Sequence, residues 1–488
     1  MKTELPPQLL NESAQVFPPP APLTSAEKAF TAQSNLDTES RDPPRRTLDL
    51  IGATAYAAPT VGSYFFYIPM WSILPSMYGK YFGLSLSSIA ASVLFIRLFD
   101  GFIDTTVGYL ADLHRSTGGS RKPWAIVGGL GTVGACYFLF TPPHPASMSY
   151  YITWAFVYYL LFTIAEIPHL TWGSELTLDY QDRSKVYGIR NLMTRIGIIA
   201  FYSMPLLPIY TSTEYTPEVL KDAVYVGGFM TLLGLVLALL RAPGGLVLRH
   251  AIADNPKLFI SSLIGNRPLL LYFLAFALIG LSSGMWNGLL YFYLDGYLAL
   301  GRKLALIFSV STVAAALSVP LWVRLIRITS KSTTWTLAIA FFCGQMICML
   351  MMKPGGNWWG PLLLVMSANL CFSGHDIAAL SLLGDIVDYG KLKFHKDRGT
   401  IYFALSILIF KIGLGVGGGV SIGIASLFGF HPSDVYRSDR AITGLKLGFT
   451  VLPACLAFAG LLIILTIPIN RRRHHIIERR LQSRMGLT

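Results

Sequence analysis

The sequence predicts an all-α membrane protein of twelve transmembrane helices, arranged as two six-helix bundles with both termini in the cytosol. Three observations carry this expectation. The chain of 488 residues is 53% hydrophobic and 13% charged, where a soluble protein has about 25% charged residues. Its apolar residues gather into repeated runs of about 18 or more, long enough to cross a bilayer as helix. Its basic residues fall in alternate loops, which sets the sidedness of the chain.

Taken in order, residues 1–48 are rich in Pro, Ser and Thr and have no apolar h-region, and Pro18, Pro19, Pro20 and Pro22 break any helix. They read as a disordered cytosolic tail rather than a signal peptide. Spans follow at roughly 51–78, 88–112, 123–142, 149–173, 187–211, 223–241, 268–292, 302–326, 333–352, 359–383, 400–429 and 443–468. Spans 1 and 11 are long and Gly-rich, and the first contains Pro59, Pro69 and Pro75. Bends are expected in both. The longest inner loop, 242–267, separates an N-terminal bundle (49–241) from a C-terminal bundle (268–470), and a basic tail (471–488) closes the chain. Two six-helix halves around a central cavity is the layout of the major facilitator class.

The net charge of +13 could suggest a nucleic-acid partner, but its distribution argues for topology instead. One side collects Arg41, Arg45 and Arg46; Arg115, Arg121 and Lys122; Arg183 and Lys185; Arg249, Lys257 and Arg267; Arg324, Arg327 and Lys331; Lys391, Lys393, Lys396 and Arg398; and Arg471 to Arg473. The other side has few: Lys80, Lys221, Arg302, Lys303, Lys353, Arg437 and Arg440. The richer side is the cytosol. Cys136, Cys343, Cys348, Cys371 and Cys455 all lie in apolar runs without CxxC or Cys/His ligand spacing, and read as small apolar core residues.

The stretch FIRLFDGFIDTTVGYLADLHRSTGGSRKPW, residues 95–124, places Arg97, Asp100 and Asp104 inside an apolar run. Each ionisable residue there costs about 2.5–3.5 kcal/mol on insertion scales. Their spacing of three and then four puts them on one helix face, directed into protein or a wet cavity. Further intramembrane charges are Glu166 in span 4, Arg190 and Arg195 in span 5, Asp376 in span 10 and Lys411 in span 11. Carboxylates with nearby hydroxyls (Thr105, Thr106, Thr163) can bind a hard cation through oxygen or take up a proton. Arg97 is expected to brace Asp100. Lys411 is expected to compete with a cation for the carboxylates, since a buried ammonium is a compact, exchangeable charge. His169 and His375 lie beside these carboxylates and, with Trp172, are candidate substrate contacts or else packing residues. No Gly-rich phosphate loop, metal motif or nucleophile–base pair occurs. An enzyme is therefore not expected, nor a cofactor beyond a coupling ion.

RLFDGFIDTTVGYLAD followed by GGSRKPW, then EIPHLTWGSELTLDYQDRSKVYGIR, then GDIVDYGKLKFH and Lys411 keep the order and spacing seen in the glycoside–pentoside–hexuronide:cation symporters, which the chain resembles over about residues 50–470. The resemblance implies that Asp100, Asp104 and Glu166 are cation-site carboxylates (metal ligands if sodium is coupled) and that Thr163 adds a hydroxyl. It implies that Arg190 lies near the substrate-contacting arginine and that Lys411 is the family's span 11 lysine. It further implies Na+- or H+-coupled symport of a sugar-like small molecule by a monomer in the plasma (inner) membrane.

The departures point to the cargo. The usual Asp-Pro of span 2 is Asp104-Thr105, the span 4 Asp is the longer Glu166, and span 1 has no carboxylate. Sugar-stacking Trp positions hold Leu170 and Asp376. A different substrate is implied, such as a modified or charged sugar facing Arg190 and Asp376. Vertebrate relatives that move lysophospholipids make an amphipathic lipid the alternative.

Overall fold

The computed structural model describes residues 49–177, 180–245, 263–394, 398–432, 438–469 and 471–484. The expected N-terminal tail (1–48) and most of the expected central loop (246–262) lie outside the described residues, as does the end of the basic C-terminal tail (485–488).

All described regular structure is helical. The first span is cut into α1 (Leu50–Ala57), α2 (Pro59–Ser72) and α3 (Leu74–Tyr81). Pro59 opens α2 and Pro75 sits in the first turn of α3. Proline lacks the N–H that would continue the preceding helix, so the expected bends fall at these joints. The N-terminal half continues with α4 (Leu86–Ser116), α5 (Lys122–Phe140), α6 (Met148–Glu175), α7 (Tyr180–Ser203) and α8 (Pro217–Arg241). Ser85, Ser147 and Thr216 cap α4, α6 and α8 by accepting hydrogen bonds from first-turn backbone N–H groups.

In the C-terminal half, α9 (Arg267–Tyr291) runs on into a π turn, Phe292–Tyr297. Span 8 is α10 (Leu304–Leu317) and α11 (Val319–Ile328), broken where Pro320 enters the first turn of α11. Then come α12 (Lys331–Leu350), α13 (Trp359–Phe394) and α14 (Gly399–Leu427). Span 12 comprises α15 (Asp439–Lys446), a π turn at Leu447–Val451 and α16 (Leu452–Thr466), and α17 (Arg471–Arg484) follows it. Among the described residues, ten helical segments are long and apolar enough to cross a membrane. The remaining two of the twelve spans are the proline-cut first and α7, which carries Arg190 and Arg195. This is an all-α, twelve-span membrane fold of two six-helix halves with cytosolic termini.

The bend expected in span 11 is not there. The helix α14 is continuous through Gly413, Gly415, Gly417, Gly418 and Gly419. Its glycines serve close approach instead. A Cβ at Gly417 would fall 2.1 Å from the carbonyl oxygen of Leu281 on α9, and one at Gly415 would fall 2.3 Å from Arg97 Cγ on α4. Small residues let membrane helices pack backbone to backbone where lipid offers no hydrophobic drive. The helix α14 is thus wedged between its own half and the other.

The halves also meet at their outer ends. Lys80 on α3 pairs with Asp295 at 2.9 Å, Ser203 on α7 meets Ser309 on α10 at 3.1 Å, and Thr213 donates to the Arg302 carbonyl at 2.5 Å. Of the cysteines, Cys136 and Cys371 are buried as expected, whereas Cys348 and Cys455 lie on exposed helix faces; all five are free thiols.

Candidate functional site

The face of α4 that carries Arg97, Asp100 and Asp104 turns toward α6 and α14. Arg97 and Asp100 are 3% and 2% exposed. Arg97 donates to Asp100 Oδ2 (3.2 Å) and to the Tyr159 hydroxyl (2.8 Å), and its guanidinium lies 4.1 Å from the Tyr159 ring centroid. The hydroxyl of Thr163, one turn further along α6, donates to Asp104 Oδ1 at 3.0 Å and reaches Asp100 Oδ1 at 3.5 Å. From the other half, Lys411 on α14 brings its Nζ to 2.6 Å from Asp104 Oδ2 and 2.9 Å from Asp100 Oδ2.

Two carboxylates therefore face two cations and one hydroxyl at the seam between the halves. Removing charge from water is costly unless each charge is paired and hydrogen-bonded, and here each is. Lys411 has the most accessible side chain of the cluster, 22% exposed against 14% for Asp104 and 2% for Asp100. Of the other hydroxyls, Thr105 and Thr106 donate to the carbonyls of Gly101 and Phe102 one turn back on their own helix; they do not face the carboxylates.

Glu166, the third carboxylate of the expected cation set, has partners of its own. Its carboxylate is held by the Arg190 guanidinium of α7 and by the Tyr64 hydroxyl at 3.2 Å. The structure thus brings Asp100, Asp104, Thr163, Arg97 and Lys411 together, and holds Glu166 with Arg190 in a separate pair.

The expected aromatic and histidine contacts are engaged in packing. His169 Nε2 meets the Tyr56 carbonyl at 2.8 Å and its ring stacks on Tyr56. Trp172 is 2% exposed and donates to the Pro243 carbonyl at 3.1 Å. His375 Nδ1 accepts from Trp335 Nε1 at 2.7 Å, and its ring stacks against Phe276 and Phe410. All three are buried and packed, as the packing alternative has it; His375 Nε2 is buried without a hydrogen-bond partner. Asp376 differs. It is exposed on α13, and its charged neighbour is Arg195 on α7 of the opposite half, so it looks across the seam. Among the described residues the two make no direct ion pair.

Sequence reasoning missed Tyr64 and Tyr159. Tyr64 sits in an unbroken aromatic run with no distinguishing mark. Tyr159 did carry a signal, because Tyr159, Thr163 and Glu166 recur at four and three along α6 and share one face.

The model of the MFS/sugar transport protein family matches residues 51–471. The chain belongs to that family. Among curated relatives of this transporter is an uncharacterized symporter of Bacillus subtilis, YnaJ, 21% identical over 90% of the chain and 96% of the relative. Another is the sodium-dependent lysophosphatidylcholine symporter 1-A of Danio rerio, 22% identical over 80% of the chain and 81% of the relative. The raffinose carrier protein of Pediococcus pentosaceus is 22% identical over 80% of the chain and 63% of the relative. Among solved structures, the nucleoside transporter NupG superposes with a TM-score of 0.62 at 13% identity, covering 85% of this chain and 99% of that one. The likeness to NupG shows the fold, and the family makes the chain a multi-pass membrane transporter rather than an enzyme.

Proposed function

We propose that the protein is a cation-coupled symporter of a sugar or sugar derivative, working by alternating access in the plasma membrane. The single observation that carries this is the Lys411 ammonium of one half resting between Asp100 and Asp104 of the other. A sodium ion or proton arriving at those carboxylates with Thr163 competes with the ammonium. Its binding therefore changes a contact between halves, which is what coupling requires. Arg97 stays on Asp100 and Tyr159 throughout and keeps the site in shape.

The substrate side is the Glu166–Arg190 pair together with Asp376 and Arg195. Their charges suit a polar or charged sugar, and the family description and the raffinose carrier support that class. The Danio rerio relative supports a second reading, a lysophospholipid as cargo.

The test is uptake in reconstituted vesicles with an imposed sodium or proton gradient, comparing labelled oligosaccharides, glucuronides and lysophosphatidylcholine. Accumulation that depends on one gradient and one cargo class establishes the reading. Equal equilibration with and without either gradient overturns symport.

A further inference from the structure

On the cytosolic face of the C-terminal half, well away from the charge cluster, a cleft of about 250 Å³ opens where α11, α12, α13 and α17 meet. Its rim carries Arg327, Lys331, Arg471, His474 and His475, and its carboxylate is Asp385. Asp385 is spoken for, since Lys331 Nζ lies 2.5 Å and His474 Nε2 3.2 Å from its Oδ1. Arg327 and Arg471 remain. Among the described residues neither has an ion-pair partner, and Arg471 Nη1 donates to the backbone carbonyl of Arg327 at 3.1 Å. Both arginines thus line one cleft, and the cleft's carboxylate, Asp385, is paired with Lys331 and His474 rather than with either of them. Two guanidinium groups at one cleft, neither with a carboxylate of its own, offer charge-assisted donors to an anion.

The floor of the cleft is apolar, formed by Ile326, Leu382 and Ile469. At the end of α10 and along α11, Leu317, Leu321 and Ile328 are 75%, 62% and 67% exposed. Their spacing of four and seven makes one stripe, which in a bilayer faces acyl chains. That stripe ends beside Arg327, at the level where the inner leaflet's headgroups lie. Basic pockets between membrane helices on this side suit anionic headgroups.

We propose that this cleft is a binding site for a phosphate-bearing anion, and that its occupant is the headgroup of an anionic phospholipid of the inner leaflet. Arg327 and Arg471 hold the phosphate in a fork from two sides, one from the end of α11 and one from the start of α17. Lipid binding thereby ties α17 to the transport domain. The Lys331–Asp385–His474 contacts shape the cleft wall without supplying the free charge.

The experiment measures the melting midpoint of the purified full-length transporter titrated with phosphatidylglycerol, with phosphatidylcholine and with inorganic phosphate. The same series is run for Arg327→Gln/Arg471→Gln. Phosphatidylglycerol is expected to raise the midpoint saturably and phosphatidylcholine not to. Each arginine near an anionic headgroup is worth about fivefold in affinity, so the double variant should weaken the response about 25-fold. Its unchanged midpoint in phosphatidylcholine, and a monodisperse gel-filtration peak, show that the variant is folded. Protection by inorganic phosphate equal to that by phosphatidylglycerol, and lost in the double variant, keeps the phosphate site but overturns the lipid as its occupant. An equal response to both lipids, or a double variant that responds like the wild type, overturns the site.

Discussion

Lys411 and Asp104 are 307 positions apart in the chain and 2.6 Å apart in space. This contact joins the two halves at the carboxylates that a coupling cation would use. Asp104→Asn should remove the carboxylate that Lys411 approaches most closely and leave it only Asp100, which Arg97 already shares. A hydrogen bond to a charged group is worth about 1.5–3 kcal/mol, so cation affinity should fall by at least about tenfold. Gradient-driven accumulation in vesicles should be lost, while exchange of substrate across the membrane persists. Accumulation at the wild-type level would refute the coupling role.

Glu166→Gln tests whether the Glu166–Arg190 pair stands apart from the cation cluster. Both side chains are mostly buried, 15% and 10% exposed, and removing one partner of a buried pair costs about 3–5 kcal/mol. The melting midpoint should drop and substrate binding should weaken. Stabilisation by sodium or by protons should survive. If it vanishes with this substitution, Glu166 belongs to the cation site after all.

Gly415→Ala should displace Arg97, because the new Cβ would lie 2.3 Å from Arg97 Cγ. Overpacking of this kind costs about 1–3 kcal/mol, more than the roughly 1 kcal/mol that alanine gains over glycine in helix propensity. A lower midpoint and lost uptake are expected. Gly423→Ala on the same helix is the control. Its nearest foreign atom is Ala90 Cβ at 3.9 Å, so it should be neutral or stabilising. Equal effects at both positions would show that helix flexibility, not the Arg97 contact, explains the glycines.

Lys80→Gln should loosen the outer end. The Lys80–Asp295 pair is 30% and 13% exposed, and a pair in that setting is worth about 0.2–1 kcal/mol, a population shift of up to about fivefold. With Ser309→Cys as reporter, a membrane-impermeant thiol reagent added outside should label Lys80→Gln faster than the parent. An unchanged rate means that the pair does not hold the outer end closed.

Much of this architecture was legible in one dimension. The proline joints of span 1 and the charged face of span 2 appear where Pro59, Pro75 and the 97–100–104 spacing put them. The glycines of span 11 were misread as a bend. Glycine permits either a kink or a close approach, and only the neighbours Leu281 and Arg97 decide between them. His169, Trp172 and His375 were open to two readings, ligand contact or packing, because a polar group in an apolar run suits either. Their partners are backbone carbonyls and indoles that the local sequence does not reveal.

Hydropathy summed over a span, basic residues per loop and a 3.6-residue period are properties of the chain alone. Span number, sidedness and the polar face of α4 follow from them without knowledge of any neighbour. Which charge answers which is another matter. Arg190 reaches Glu166 across 24 residues and Lys411 reaches Asp104 across 307. Those pairings divided one expected three-carboxylate site into a two-carboxylate cluster with Lys411 and a separate Glu166–Arg190 pair. Ion pairs act over a few ångströms of space, and only the folded arrangement of helices decides which groups come that close.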